Sequence, residues 1–132
     1  MSLVIDASVA AQWVLKQEHS ARANALRDQE GLIAPALIAA EIGNAIWKSV
    51  RWGNVSPAEA ASAINAALLP FDALVADETL CARALALAIE LRHPIYDCFY
   101  LALAEREGAP LVTADEAMIA AARKAKIKVR RI

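Results

Sequence analysis

Four acidic residues stand where carboxylate chemistry is possible. Asp6 directly follows the apolar run Leu3-Val4-Ile5, and Asp115 lies two residues past Leu111-Val112-Thr113. Glu41 is set in ALIAAEIGNAIWK, a segment apolar nearly all round, where an unpaired carboxylate would be costly. Asp97 lies in HPIYDCFYLALAE, with Tyr96 before it and Tyr100 one helical turn later. If the fold brings these acids within a few ångströms, they cannot all ionise without a cation, because like charges raise one another's pKa. Oxygen donors with no nearby Cys or clustered His select hard cations, Mg²⁺ or Mn²⁺, over zinc or copper. Metal held this way can polarise a phosphate, lower the pKa of a bound water and stabilise the leaving oxygen. That chemistry is phosphodiester hydrolysis.

Each acid also has a plain structural role open to it. Asp97 and Asp115 are of a type that favours helix N-caps, Asp6 could cap a helix starting near Ser8, and Glu41 could pair with Lys48 or Arg51. Taken singly, these roles are the commoner ones. They weaken when all four must hold together, because every acid abuts strongly apolar sequence.

The elements that must position the acids are legible in outline. Strand signals occur at 3–6, 32–34, 71–75, 110–113 and 127–132, and helical stretches at 8–15, 18–29, 36–52, 57–69, 77–92, 97–107 and 115–125. Ser56-Pro57-Ala58-Glu59 has the form of a capping box with proline at the first helical position. Gly53 and Gly108 sit where helix C-caps are expected, and Pro110 prevents continuation of the second. Strands separated by helices predict an α/β fold, a mostly parallel central sheet of 4–5 strands with helices on both faces. Ligands of such sheets collect outside the carboxyl ends of the strands. Asp6 and Asp115 both belong to that edge.

The chain has 132 residues, 58% of them hydrophobic, which suits one domain over 1–132 and excludes disorder. No apolar run approaches the roughly 20 residues of a membrane span, and Asp6 interrupts the apolar N-terminus, so neither a membrane anchor nor a signal peptide is expected. Cys81 and Cys98 are too few and too far apart for a disulfide framework or zinc cluster, which favours a cytoplasmic protein. His19 and His93 are isolated and read as surface residues rather than ligands. Net charge is −1, yet Arg123, Lys124, Lys126, Lys128, Arg130 and Arg131 crowd the last ten residues with no acid after Glu116. They read equally as a patch that steers a polyanion and as helix-end and edge-strand charges. Of the tryptophans, Trp13 and Trp47 are expected in the core, and Trp52, beside Arg51 and Gly53, on the surface.

The ordered set of Asp after the first strand, Glu-x-x-Asn, Tyr-Asp-x-x-Tyr-Leu-Ala-Leu-Ala and Thr-x-Asp resembles a PIN domain. The match runs from LVIDASV to LVTADEAM, and the compact chain resembles the VapC-type toxins of bacterial and archaeal toxin–antitoxin pairs. The resemblance implies a three-layer α/β/α fold and Mg²⁺- or Mn²⁺-dependent endoribonuclease activity. It also implies a homodimer and a small antitoxin partner. Carried over, it makes Asp6, Glu41, Asp97 and Asp115 the acidic quartet, with Asp6 and Asp97 as leading metal ligands and Glu41 and Asp115 completing the shell or holding the attacking water. Ser8 and Thr113 match small hydroxyl positions that orient carboxylates or contact phosphate, and Asn44, on the face of Glu41, would fix that side chain. No Ser-His-Asp or Cys-His arrangement is present, so a covalent intermediate is not expected.

Three rival readings fit less well. A haloacid-dehalogenase-type phosphatase needs a second Asp two residues after the first, where this chain has Ser8. A receiver-like phosphoacceptor wants adjacent acids after the first strand and a Lys closing a late one; Asp6 is alone, and Lys128 begins its strand. A PIN-like fold used only to bind RNA or protein has no need of the intact acidic set.

Overall fold

The computed structural model describes residues 1–15 and 20–132; His19 and the first part of the expected 18–29 helix lie outside them. The strands are β1 (Leu3–Ile5), β2 (Leu32–Pro35), β3 (Ala73–Val75), β4 (Leu111–Thr113) and β5 (Val129–Arg131). They form one sheet in the order β3-β2-β1-β4-β5 with every pairing parallel. β1, β2 and β4 are buried along their whole length, as strands covered on both faces must be, while β3 and β5 are the edges. The chain builds β1, β2 and β3 in one direction, then returns to the other side of β1 with β4 and β5. The reversal of strand order falls between β1 and β4, whose register pairs Val4 with Leu111 and Ile5 with Val112.

The helices are α1 (Ala7–Ala10), α2 (Ser20–Arg27), α3 (Ile38–Arg51), α4 (Pro57–Leu68), α5 (Cys81–Leu91), α6 (Ile95–Glu107) and α7 (Glu116–Lys124). With the sheet they make the three-layer α/β/α arrangement. α6 is the central one: every residue from Cys98 to Ala104 is buried, which is why its sequence is apolar all round rather than striped. It packs on β1, β2 and β4, with α5 against it. α4 begins on the capping box, Ser56 Oγ accepting from the Glu59 amide at 3.2 Å with Pro57 next. α6 ends at Gly108 with φ 59°, a left-handed turn that favours glycine.

Several element ends fall one or two residues inside the expected ranges, and β5 begins just after Lys128 rather than including it; three differences change the elements themselves or the place of an acid. The 8–15 helix is α1 followed by a 3₁₀ turn at Ala11–Trp13, and the 77–92 helix is a 3₁₀ turn at Asp77–Thr79 followed by α5. α6 begins at Ile95, with Pro94 as its extended N-cap, so Asp97 lies inside the first turn and is not a cap. Trp13 is buried, its Nε1 donating to the Ala23 carbonyl at 2.7 Å and its ring meeting Phe71 at 5.5 Å. Trp47 is not in the core but 55% exposed. Ile38, Ile42 and Ile46 occupy the inward stripe of α3, and Trp47, one residue on, is turned away from it. Arg51 stacks on its ring at 5.6 Å, and Trp52 is exposed as expected.

Candidate active site

Asp6 is the first residue beyond β1 and 5% exposed. Its backbone carbonyl accepts from the Val9 and Ala10 amides, but its side chain makes no cap. Instead Oδ2 accepts two hydroxyls, from Ser8 at 2.8 Å and Thr113 at 2.7 Å. Those hydroxyls are themselves fixed: Thr113 Oγ1 accepts from the Asp115 amide and Ser8 Oγ from the Ala114 amide, both at 3.0 Å. The β1–α1 and β4–α7 junctions are thereby laced together around one carboxylate.

Glu41 lies in the first turn of α3 and is paired with neither Lys48 nor Arg51. The Tyr100 hydroxyl donates to its Oε1 at 2.6 Å, from a ring that is completely buried in α6. Asn44 lines the same cleft but makes no hydrogen bond to Glu41 among the described residues, so the expectation that it fixes Glu41 gives way to Tyr100. Asp97 comes from α6, one turn before Tyr100, and its Oδ2 meets His93 Nε2 at 2.6 Å. His93 is therefore neither isolated nor a plain surface residue: its side chain is 15% exposed. Asp115 does serve as the N-cap of α7, its Oδ1 accepting from the Ala117 amide at 3.0 Å.

The acids act on one another. Burial raises the Asp6 carboxyl above the ordinary range, and the charge of Asp97 adds to it, against the lowering effect of the two hydroxyls. Glu41 is pushed up to about 7, first by burial and then by Asp6, Asp97 and Asp77, although the Tyr100 hydroxyl works the other way. The Tyr100 phenol is raised well above its usual value by burial, Asp6 and Glu41. Asp115 is not among these charges, but it shares with Glu41, Ser8, Gln12, Asn44 and Lys48 a cleft of about 470 Å³.

Among the described residues no three His, Cys, Asp or Glu side chains already form a metal-ready group. The donor set nonetheless suits a hard cation. It is all oxygen, three acids raise or are raised by each other, and no Lys or Arg among the described residues is ion-paired to any of the four. Mg²⁺ keeps several waters and needs few protein oxygens, so an open set of this kind is sufficient for it.

Sequence reading assigned no site role to Tyr100 or Gln12, read His93 as a surface residue and offered Lys48 only as a partner for Glu41. Tyr100 carried a signal, since a tyrosine buried in an apolar helix needs a partner for its hydroxyl and stands three residues from Asp97. Gln12, which donates to the Ser8 carbonyl at 3.0 Å, carried none.

A family profile described as PIN domain matches residues 3–124. The chain is 34% identical over 118 residues to the Ribonuclease VapC3 of Pyrobaculum aerophilum, covering 87% of this chain and 90% of that protein. It is 33% identical over 95 residues to the Exonuclease VapC9 of the same organism, covering 72% and 70%. The crystal structure of PAE2754 from Pyrobaculum aerophilum superposes with a TM-score of 0.74 at 30% identity, covering 92% of this chain and 79% of that one.

Proposed function

The chain belongs to the PIN-domain family, and from that membership we propose that it is a metal-dependent endoribonuclease, the toxin of a VapC-type toxin–antitoxin pair. The observation that carries the reading is the buried Asp6 carboxylate beside Glu41, both raised by burial and by the charge of Asp97. Asp6, Asp97, Glu41 and Asp115 are the residues that would hold Mg²⁺ or Mn²⁺. The ion would supply polarisation of the scissile phosphate and a more acidic bound water.

The remaining work belongs to the chain's own residues. Ser8 and Thr113 hold the Oδ2 oxygen of Asp6, and the Ala7 amide also favours its charged form. Tyr100 holds Oε1 of Glu41, so that Oε2 is the oxygen able to orient, or take a proton from, an attacking water. Lys48 lines the cleft without an ion pair among the described residues and offers a cation for a phosphate oxygen.

The wider reading is a cytoplasmic homodimer of one domain over 1–132, restrained by a small antitoxin. No helix among the described residues is long and apolar enough to cross a membrane. An apolar groove of about 380 Å³ between α3 and α4, lined by Gly43, Ile46, Trp47, Val50 and Ile64, supports a peptide-binding surface.

The test is cleavage of a mixed structured RNA by purified protein with Mn²⁺ or Mg²⁺, with EDTA and Asp97→Asn as controls. Cleavage lost in both controls is the expected result. Wild-type protein freed of antitoxin that neither cuts RNA nor gains melting temperature from Mn²⁺ would return the acids to capping and pairing roles. The non-catalytic binding module would then lead.

A further inference from the structure

We infer that the exposed face of edge strand β5 and the turn before it form a phosphate-binding track for RNA leaving the acidic centre. The inference rests on the ribonuclease reading and adds to it where the substrate chain runs. Six of the protein's fourteen Lys and Arg residues lie between Arg123 and Arg131, beyond or at the very end of the part that the family profile covers.

Burial along this segment alternates. Lys126, Lys128 and Arg130 are exposed, while Ile127 and Val129 between them turn inward. Along the extended chain from Lys128 that alternation places Lys128 and Arg130 on one face roughly 6.6 Å apart, while Lys126 precedes them in the turn after α7, with a left-handed φ of 59°. None of the three has an ion pair among the described residues. Glu105 lines the same depression as Lys126 and Lys128, but its carboxylate is already held by Arg83 at 2.6 and 2.9 Å.

The carboxyl end of β5 adjoins the site. Arg131, on the opposite face of the strand from Arg130, is in register with Thr113, whose hydroxyl holds Asp6, and it is ion-paired with Glu116, the neighbour of Asp115. From there the cations lead away along the strand. Charged edge strands also guard a sheet against unwanted pairing. That need does not account for these six. The opposite edge, β3, exposes Leu74 and is flanked by Asp72 and Asp77, and no Lys or Arg occurs between Arg51 and Arg83. If edge protection called for lysines, β3 would carry them too.

The test is the salt dependence of binding, read by fluorescence anisotropy on a labelled RNA with Asp97→Asn protein, which prevents turnover. The triple variant Lys126→Gln/Lys128→Gln/Arg130→Gln is expected to flatten the slope of log affinity against log salt by roughly 2, at about 0.7 per single-strand phosphate contact. Its loss of affinity should be greater for a long RNA than for a short oligonucleotide. Single substitutions should each flatten the slope by a third as much, which keeps the test available if the triple variant misfolds. An unchanged slope overturns the inference while leaving the ribonuclease reading intact, since wild-type cleavage is measured separately. Binding of polyglutamate, lost in the variant while the RNA slope stays the same, overturns it in favour of an acidic protein partner. No RNA binding by the parent protein overturns both.

Discussion

Glu41 and Asp6 are carboxyls held above their ordinary range first by burial and then by neighbouring acids, Asp97 for both and Asp6 for Glu41, and this fixes how the metal-free protein responds to pH. A carboxyl with a raised pKa binds more protons folded than unfolded. The stability it contributes is therefore present at acid pH and lost as pH rises, for Glu41 between the free value of 4.5 and about 7. Allowing for partial exposure, the loss is on the order of 2 kcal/mol at 1.36 kcal/mol per unit. Melting in EDTA should accordingly be higher at pH 5 than at pH 8, and Glu41→Gln should remove much of the difference. Adding Mn²⁺ at pH 8 should restore what the pH rise removed. A wild-type curve that climbs steadily from pH 5 to pH 8 in EDTA would contradict the assignment of these acids to a repelling cluster. Tyr100→Phe makes a sharper probe of the same group, since it removes one oxygen and leaves the ring in its buried place. It should weaken Mn²⁺ binding measured by calorimetry several-fold, because Glu41 then loses the bond that favours its charged form. Equal affinity in both proteins would mean that Glu41 does not hold the ion.

At the scale of elements, the parallel order and the acidic sheet edge were legible because each rests on a local signal. Apolar runs with an acid just past them mark β1 and β4, and Ser56-Pro57-Ala58-Glu59 marks the start of α4. What was not legible depends on partners distant in sequence. Trp47 is apolar like its neighbours, and only the stripe of Ile38, Ile42 and Ile46 decides that it faces out. The Tyr100–Glu41 bond spans 59 residues, and nothing local to Glu41 favours Tyr100 over Lys48. Asp97 looked like a cap until Pro94 proved to start α6 two residues early. Asp115 was read both ways, and it does cap α7. That makes a prediction specific to the element. Asp115→Asn should keep the cap, since asparagine serves as well there, whereas Asp115→Ala should lower stability by about 1 kcal/mol. If Asp115 also serves the metal, Asn should abolish cleavage while melting stays near wild type. Full activity in the Asn variant would confine Asp115 to its cap.

The whole molecule is near neutral but polarised. The stretch from Trp52 to Ala82 holds four acids and no cation, and the segment from Arg123 to Arg131 holds six cations and no acid. A polyanion is thereby drawn toward the β5 side and kept from the β3 side, whatever the net charge of −1. The acidic centre sits at the carboxyl edge of β1, in the middle of the sheet, with β2 and β3 to one side and β4 and β5 to the other. On the ribonuclease reading, an RNA strand that meets the acids at an internal phosphate leaves along β5, past Arg130 beside Val112 and Lys128 beside Leu111, while Lys48 lines the acidic cleft itself. An enzyme that works inward from an end needs a stop for that end. The relatives' names divide on this point, one being called a ribonuclease and the other an exonuclease. A covalently closed circular RNA separates the two, because it has no end to offer. The geometry predicts that the circle is opened to a linear product in Mn²⁺, and that the reaction is lost with EDTA and with Asp97→Asn. If the circle survives while a linear RNA of the same sequence is shortened stepwise, the enzyme is an exonuclease. The cations of β5 would then guide the chain that remains rather than the flank of an internal cut.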